Sequence, residues 1–214
     1  PGIEPTEVIF GSGPGVFRSR PDEKMPLMLA RRFCRETLYT AVIEPRRGRP
    51  GVRDVSLIKG LREGGYVDPS RAAGLVVQTE AGLDHFLITY ECGSYSFGEI
   101  RFEGEILALS VDHGGVPRSL YAVNTKAVGA GHFAVTMETR GTVYLERQAS
   151  GSYRLQNQGR EPVGLDLRLE ALARPVVHVM SPSSEQAGQA PCTVEDGHVA
   201  FTAAAEGWYE ITSA

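Results

Sequence analysis

The chain has 214 residues, of which 42% are apolar and 22% charged, a globular composition that excludes a disordered or collagen-like polymer. Its formal net charge of -4 argues against a nucleic-acid partner, which would call for an excess of basic charge. No apolar run approaches the roughly 20 residues of a membrane span, so no membrane partner is expected.

The elements follow in chain order. Residues 1–32 read as an extended N-terminal linker, because Gly11–Pro26 is rich in Gly, Pro and charge. Pro1–Thr6 lacks the charged-then-apolar pattern of a signal peptide. Met25–Arg35 is a weak helix candidate. Residues 33–214 read as one β-sandwich domain, opening on the β-branched run Thr37–Ile43. Pro45–Arg53 is a basic turn carrying Arg46, Arg47, Arg49 and Arg53. Asp54–Glu63 has Val55, Ile58 and Leu61 at helical spacing before Gly64-Gly65, though an irregular strand and turn fit equally well.

Period-two alternation dominates from there. Leu75–Thr79 and Leu83–Glu91 flank a Gly-containing turn, and Glu105–Asp112 and Val116–Val123 flank His113-Gly114-Gly115. His132–Thr139 and Thr142–Gln148 flank Arg140-Gly141, which reads as a tight hairpin. Ser152–Asn157 and Val163–Glu170 are further strands, followed by Val176–Met180. Ser181–Pro191 is small and polar and reads as a long surface loop before a last hairpin, His198–Ala204 and Trp208–Thr212. The expected fold is all-β: an antiparallel β-sandwich of about ten or more short strands, with at most one or two short helices.

Chemistry is sparse. The three cysteines, Cys34, Cys92 and Cys192, match no metal-ligand spacing, and one disulfide at most is possible. No two of His85, His113, His132, His178 and His198 sit at metal-ligand spacing, so neither metal nor cofactor is expected. Asp112-His113 is an acid–imidazole neighbour pair that could meet only in a turn. Glu103 and Glu105 could share a strand face, as paired carboxylates for sugar chemistry must. Arg154 and Gln156 share a face beside Tyr153. Tyr90, Tyr95, Phe97, Tyr121, Tyr153, Trp208 and Tyr209 would offer stacking surfaces if exposed. Residues 1–62 hold 12 Lys/Arg against 7 Asp/Glu, so the arginine turn is the candidate contact for an acidic polymer. No catalytic set is complete.

One ordered series of segments carries a resemblance. It runs Arg35–Pro45, Gly74–Val77, Gly82–Ile88, Phe102–Leu109 and Gly207–Ile211. This series resembles the C-terminal β-sandwich region of heparinase II/III-like polysaccharide lyases over most of residues 33–214. The resemblance implies enzymes that cleave uronate polysaccharides by β-elimination, with catalytic groups mostly on an upstream helical domain that this chain lacks and at the start of the first sheet. No catalytic residue carries over. The implied function is a non-catalytic module that supports that helical domain and contacts acidic glycan through Arg46, Arg47, Arg49 and Arg53. A periplasmic or secreted location is favoured by the resemblance alone. Two alternatives stand beside it: an autonomous sandwich-fold lyase centred on Tyr153, Arg154 and Gln156, and a structural assembly domain without ligand.

Overall fold

The computed structural model describes residues 6–14, 24–32, 40–44, 48–169, 172–181 and 185–214. Contacts divide the chain into two compact units, Pro1–Tyr39 and Thr40–Ala214. In the first, β1 (Glu7–Pro14) and β2 (Lys24–Arg31) pair antiparallel from Glu7↔Arg31 to Pro14↔Lys24. The ends of the Gly/Pro-rich linker are therefore strand. The helix expected from Met25 is also strand as far as Arg31.

The second unit begins with β3 (Val52–Lys59), β4 (Leu61–Arg62), β5 (Gly65–Tyr66), β6 (Ala72–Thr79) and β7 (Gly82–Thr89). It continues with β8 (Tyr95–Phe97), β9 (Ile100–Glu103), β10 (Ile106–Val111), β11 (Pro117–Ala130) and β12 (Phe133–Arg147). It closes with β13 (Tyr153–Asn157), β14 (Val163–Leu169), β15 (Pro175–Met180), β16 (Gln186–Gln189), β17 (Cys192–Glu195), β18 (His198–Ala203) and β19 (Trp208–Ser213). No helix occurs among the described residues. Residues 40–44 are not strand, and the rest of the Thr37–Ile43 run lies outside the described residues.

Two long strands organise the sandwich. The first half of β11 pairs with β10 and the second half of β12, while its last residues pair with β9 and the start of β12. β12 likewise pairs with β14 through Phe133–Met137 and with β13 through Val143–Arg147. The halves meet at bulged register, and Asn124 takes a positive φ there. One layer, sheet A, runs β3-β6-β7-β10-β11-β12-β13-β19-β15-β16. The other, sheet B, runs β5-β4-β8-β9-β11-β12-β14-β18-β17. The expected β-sandwich is the fold of this unit.

Alternation builds the core between the layers. Leu109, Leu120, Leu145, Leu155 and Tyr209 face inward from sheet A; Phe102, Val128, Val135, Leu167 and Val199 face inward from sheet B. All are buried in one cluster.

Three sequence expectations fail for identifiable reasons. Arg140-Gly141 is not a hairpin, because β12 runs through it. The actual turn is Gly131-His132, where Gly131 supplies the positive φ that a two-residue turn needs. His198–Ala204 and Trp208–Thr212 do not pair either; β18 lies in sheet B and β19 in sheet A. Their connection is a corner pinned by Tyr209, whose hydroxyl accepts a 2.8 Å hydrogen bond from the Ala204 amide. The surface loop at Ser181–Pro191 contains β16, an exposed strand that pairs with β15.

Candidate functional site

The arginine turn is only partly in view. Arg46 and Arg47 lie outside the described residues. Arg49 is exposed, and exposed Arg53 sits 3.4 Å from Glu80, which compensates its charge.

Tyr153, Arg154 and Gln156 do not form a site together. Tyr153 is buried in the core, and its phenol pKa is raised, first by burial. Arg154 and Gln156 alternate to the opposite face. Arg154 lies in register between Glu146 and Glu210, and Gln156 between Tyr144 and Trp208.

The other acidic candidates are structural. Asp112 Oδ1 accepts from the amides of Gly114 (2.9 Å) and Val116 (3.0 Å), closing its own turn. His113 turns away, its Nε2 lying 3.0 Å from the Glu80 carbonyl. Glu103 pairs with Arg140 at 2.8 Å and Glu105 accepts from Asn124 at 2.6 Å, so the two carboxylates serve different partners. Cys92 and Cys192 are free thiols, and Cys34 lies outside the described residues. Among the described residues, no group of three or more His, Cys, Asp and Glu is placed to hold a metal ion.

Two surfaces remain. The first is the outer face of sheet A. Register aligns Leu57, Leu75, Phe86, Ala108, Tyr121, Tyr144, Gln156, Trp208 and Met180 in a single row across the strands. Neighbouring strands lie about 4.8 Å apart, so these side chains form a continuous ladder. Leu57 is 66% exposed, Phe86 48% and Tyr121 38%; Tyr144 and Trp208 are half-buried. The adjacent row is polar, running Asp84, Ser110, Ser119, Glu146, Arg154 and Glu210. Within it, Asp84 pairs with Arg118 at 3.1 Å and Ser152 donates to Glu210 at 3.0 Å. The Tyr144 phenol pKa is raised, first by burial and then by the Glu146 carboxylate. The outer face of sheet B differs: its row Glu103, Ala127, Thr136, Asp166 and Ala200 is small or charged. There Asp166 holds His198 at 2.9 Å.

The second surface is a cleft of about 930 Å³ at one end of the sandwich. Its floor is Leu109, Val111, Ile100, Phe133 and Leu169, and His85 points into it from β7. It is open because the flanking strands of sheet B, β8, β4 and β5, are only three, two and two residues long. They do not cover the inner face of β6 and β7 at this level. His85 Nδ1 is buried and closed to solvent, and the ring lies beside the Leu109 backbone. Burial lowers the His85 pKa from its ordinary 6.5, with the Leu109 backbone and the Asp84 charge opposing the shift.

This shift has a sign that can be measured. A folded pKa below the unfolded value means that the unfolded chain binds the proton more readily. Stability then rises with pH up to about 6.5 and is lost as pH falls from there through the folded pKa. Denaturant titrations across this window are expected to show a steeper acid-side loss for the native chain than for His85→Leu. Equal slopes would mean that His85 titrates as it does in the unfolded chain.

Sequence reasoning named Tyr121 and Trp208 but could not align them with Tyr144 and Gln156, since register between distant strands is not written in either strand alone. No family model matches the chain, and no curated protein matches it.

Proposed function

We propose that the chain is a non-catalytic β-sandwich module of a heparinase II/III-like polysaccharide lyase, which supports a catalytic domain and contacts the glycan. The observation that carries this reading is the one-register ladder on the outer face of sheet A. Its two ends suit two tasks. Toward β3, the exposed Leu57, Phe86, Val55 and Ile106 form an apolar surface of the kind that meets another domain. Toward β19, Tyr144 and Trp208 flank Gln156, with Tyr121 beyond Tyr144 and Arg154 and Glu210 in the next row. A pyranose ring has an apolar C–H face and a hydroxyl edge, which match aromatic rings beside hydrogen-bonding side chains. The ordered likeness of the segments from Arg35 to Ile211 to the lyase sandwich supports the same assignment.

The acidity of the polar row favours stacking over charge as the source of glycan contact. Gel retardation of the chain by soluble uronate and neutral polysaccharides tests this. Retardation is expected to persist in high salt and to weaken by about tenfold in Tyr144→Ala with Trp208→Ala. Loss of retardation in high salt, with the aromatic variants unchanged, would assign the contact to the arginine turn instead. No retardation by any glycan would remove the contact and leave only the docking role.

A further inference from the structure

We propose that His85 is an acid-operated latch on the open margin of sheet A: protonation turns its ring out of its seat into the solvent-open cleft and loosens the β3–β6–β7 margin locally, while the rest of the sandwich stays folded. The inference is independent of any glycan contact.

Register places the ring at a boundary. Ser56, Val76, His85 and Leu109 form one row on the inner face of sheet A. Along it Ser56 is exposed, Val76 and His85 are half-buried and Leu109 is buried. On one side of this row Gly74, Leu87 and Leu107 are buried; on the other Gln78 and Leu83 are exposed. His85 therefore closes the dry interior against the cleft.

The seat suits only the neutral ring. Nδ1 is buried without a hydrogen-bond partner, and burial outweighs the Leu109 backbone and the Asp84 charge, which favour the cation. Asp84 lies on the opposite face of β7 and is held by Arg118 at 3.1 Å. In the β10–β11 turn, Asp112 is taken by the Gly114 and Val116 amides and by Arg147, and His113 Nε2 lies at the Glu80 carbonyl. Glu99 and His132, on the β8–β9 and β11–β12 turns, are exposed at the cleft wall. β3 and β6 line the cleft with the uncharged Ile58, Val76 and Gln78. Two carboxylates and two imidazoles thus oppose one another at the wall, so hydration rather than pairing draws the cation outward. The cleft, at about 930 Å³, has room for the ring. The margin is also the part best able to yield: among the described residues β3 pairs with β6 alone, and the short β4, β5 and β8 leave the inner face of β6 and β7 uncovered.

The direction follows from linkage. The seated ring has its pKa lowered from 6.5, whereas a ring in the cleft titrates as in water, so opening takes up a proton. The opening constant then rises by up to about tenfold per pH unit below 6.5, until the seated form titrates as well.

The test is amide hydrogen exchange on the whole chain, corrected for its intrinsic pH dependence, from about pH 7.5 to about pH 5. The amides of β6 and β7 are expected to lose protection on that slope, in step with the His85 imidazole titration followed by NMR, while those of β13 and β14 keep theirs. His85→Leu is expected to hold β6 and β7 protected in acid, and His113→Gln and His132→Gln to leave the loss in place. Loss spread evenly over both sheets, loss that survives in His85→Leu, or no loss in acid would overturn the proposal. If the leucine variant departs from the native exchange map at neutral pH, the native chain decides alone: a loss that follows the His113 or His132 titration instead of that of His85 overturns the latch.

Discussion

Asn157→Ala is expected to lower the unfolding free energy by about 3–4 kcal/mol, near the upper end for a single polar residue. Asn157 is fully buried at the end of β13. Its Nδ2 donates to the carbonyls of Glu161 (2.9 Å), Ala203 (3.2 Å) and Ala204 (3.0 Å), and its Oδ1 accepts from the Gly159 amide at 2.9 Å. One side chain thus ties the turn after β13 to the corner where the chain leaves sheet B for sheet A. The two Nδ2 hydrogens are shared among the three carbonyls, and alanine removes them together with the acceptor for the Gly159 amide. Asn157→Asp is the sharper probe, because it keeps the shape and places a carboxylate against three carbonyl oxygens. The folded pKa of that Asp would be raised above its unfolded value. The variant is therefore expected to regain stability as pH falls and to lose it as pH rises. Denaturant titration of both variants across pH checks this; an Asp variant as stable as the native chain at neutral pH would refute the role assigned to Asn157.

Gly82→Ala is expected to cost at least about 3 kcal/mol, and Gly64→Ala only about 1 kcal/mol. Both glycines have positive φ, +138° at Gly82 and +81° at Gly64. They differ in their surroundings. A Cβ on Gly82 would lie 2.0 Å from the Val111 carbonyl oxygen and 2.9 Å from the Asp112 Cα, whereas one on Gly64 meets nothing within 4 Å. The Gly82 contact is backbone, so relief would require moving β7 against β10. Gly64 pays only for its left-handed conformation in the β4–β5 turn. Thermal unfolding of the pair separates steric from conformational cost, and similar losses would mean that the β7–β10 register yields easily. The same register places His85 in the cleft, so Gly82 also supports the geometry of that site.

The sandwich was legible because alternation is local. Val163, Leu165, Leu167 and Leu169 each face the core, as their spacing with Gly164, Asp166 and Arg168 predicts. The hairpin around His113-Gly114-Gly115 was legible for the same reason, since turn residues and flanking strands lie together in the chain. What failed was long-range. Arg140-Gly141 has the composition of a turn, yet it is where one strand bends between layers. There the Arg140 guanidinium bonds the Asn124 carbonyl (3.1 Å) and Glu103 (2.8 Å) across the bend. Tyr209 has the pattern of any strand aromatic, and only the three-dimensional corner gives its hydroxyl a task. The site suffered most. Arg154 and Gln156 were correctly put on one face, but their aromatic companions come from β11, β12 and β19. Tyr153, the nearest aromatic in sequence, belongs to the core.

The most direct test of the central claim is an elimination assay on the chain itself. The chain is incubated with a panel of uronate polysaccharides, and the ultraviolet absorbance of unsaturated product is followed alongside glycan co-sedimentation. The account predicts co-sedimentation that depends on Tyr144 and Trp208 and no product above the buffer rate. Product formed in proportion to the amount of chain, and retained after further purification, would contradict a non-catalytic module.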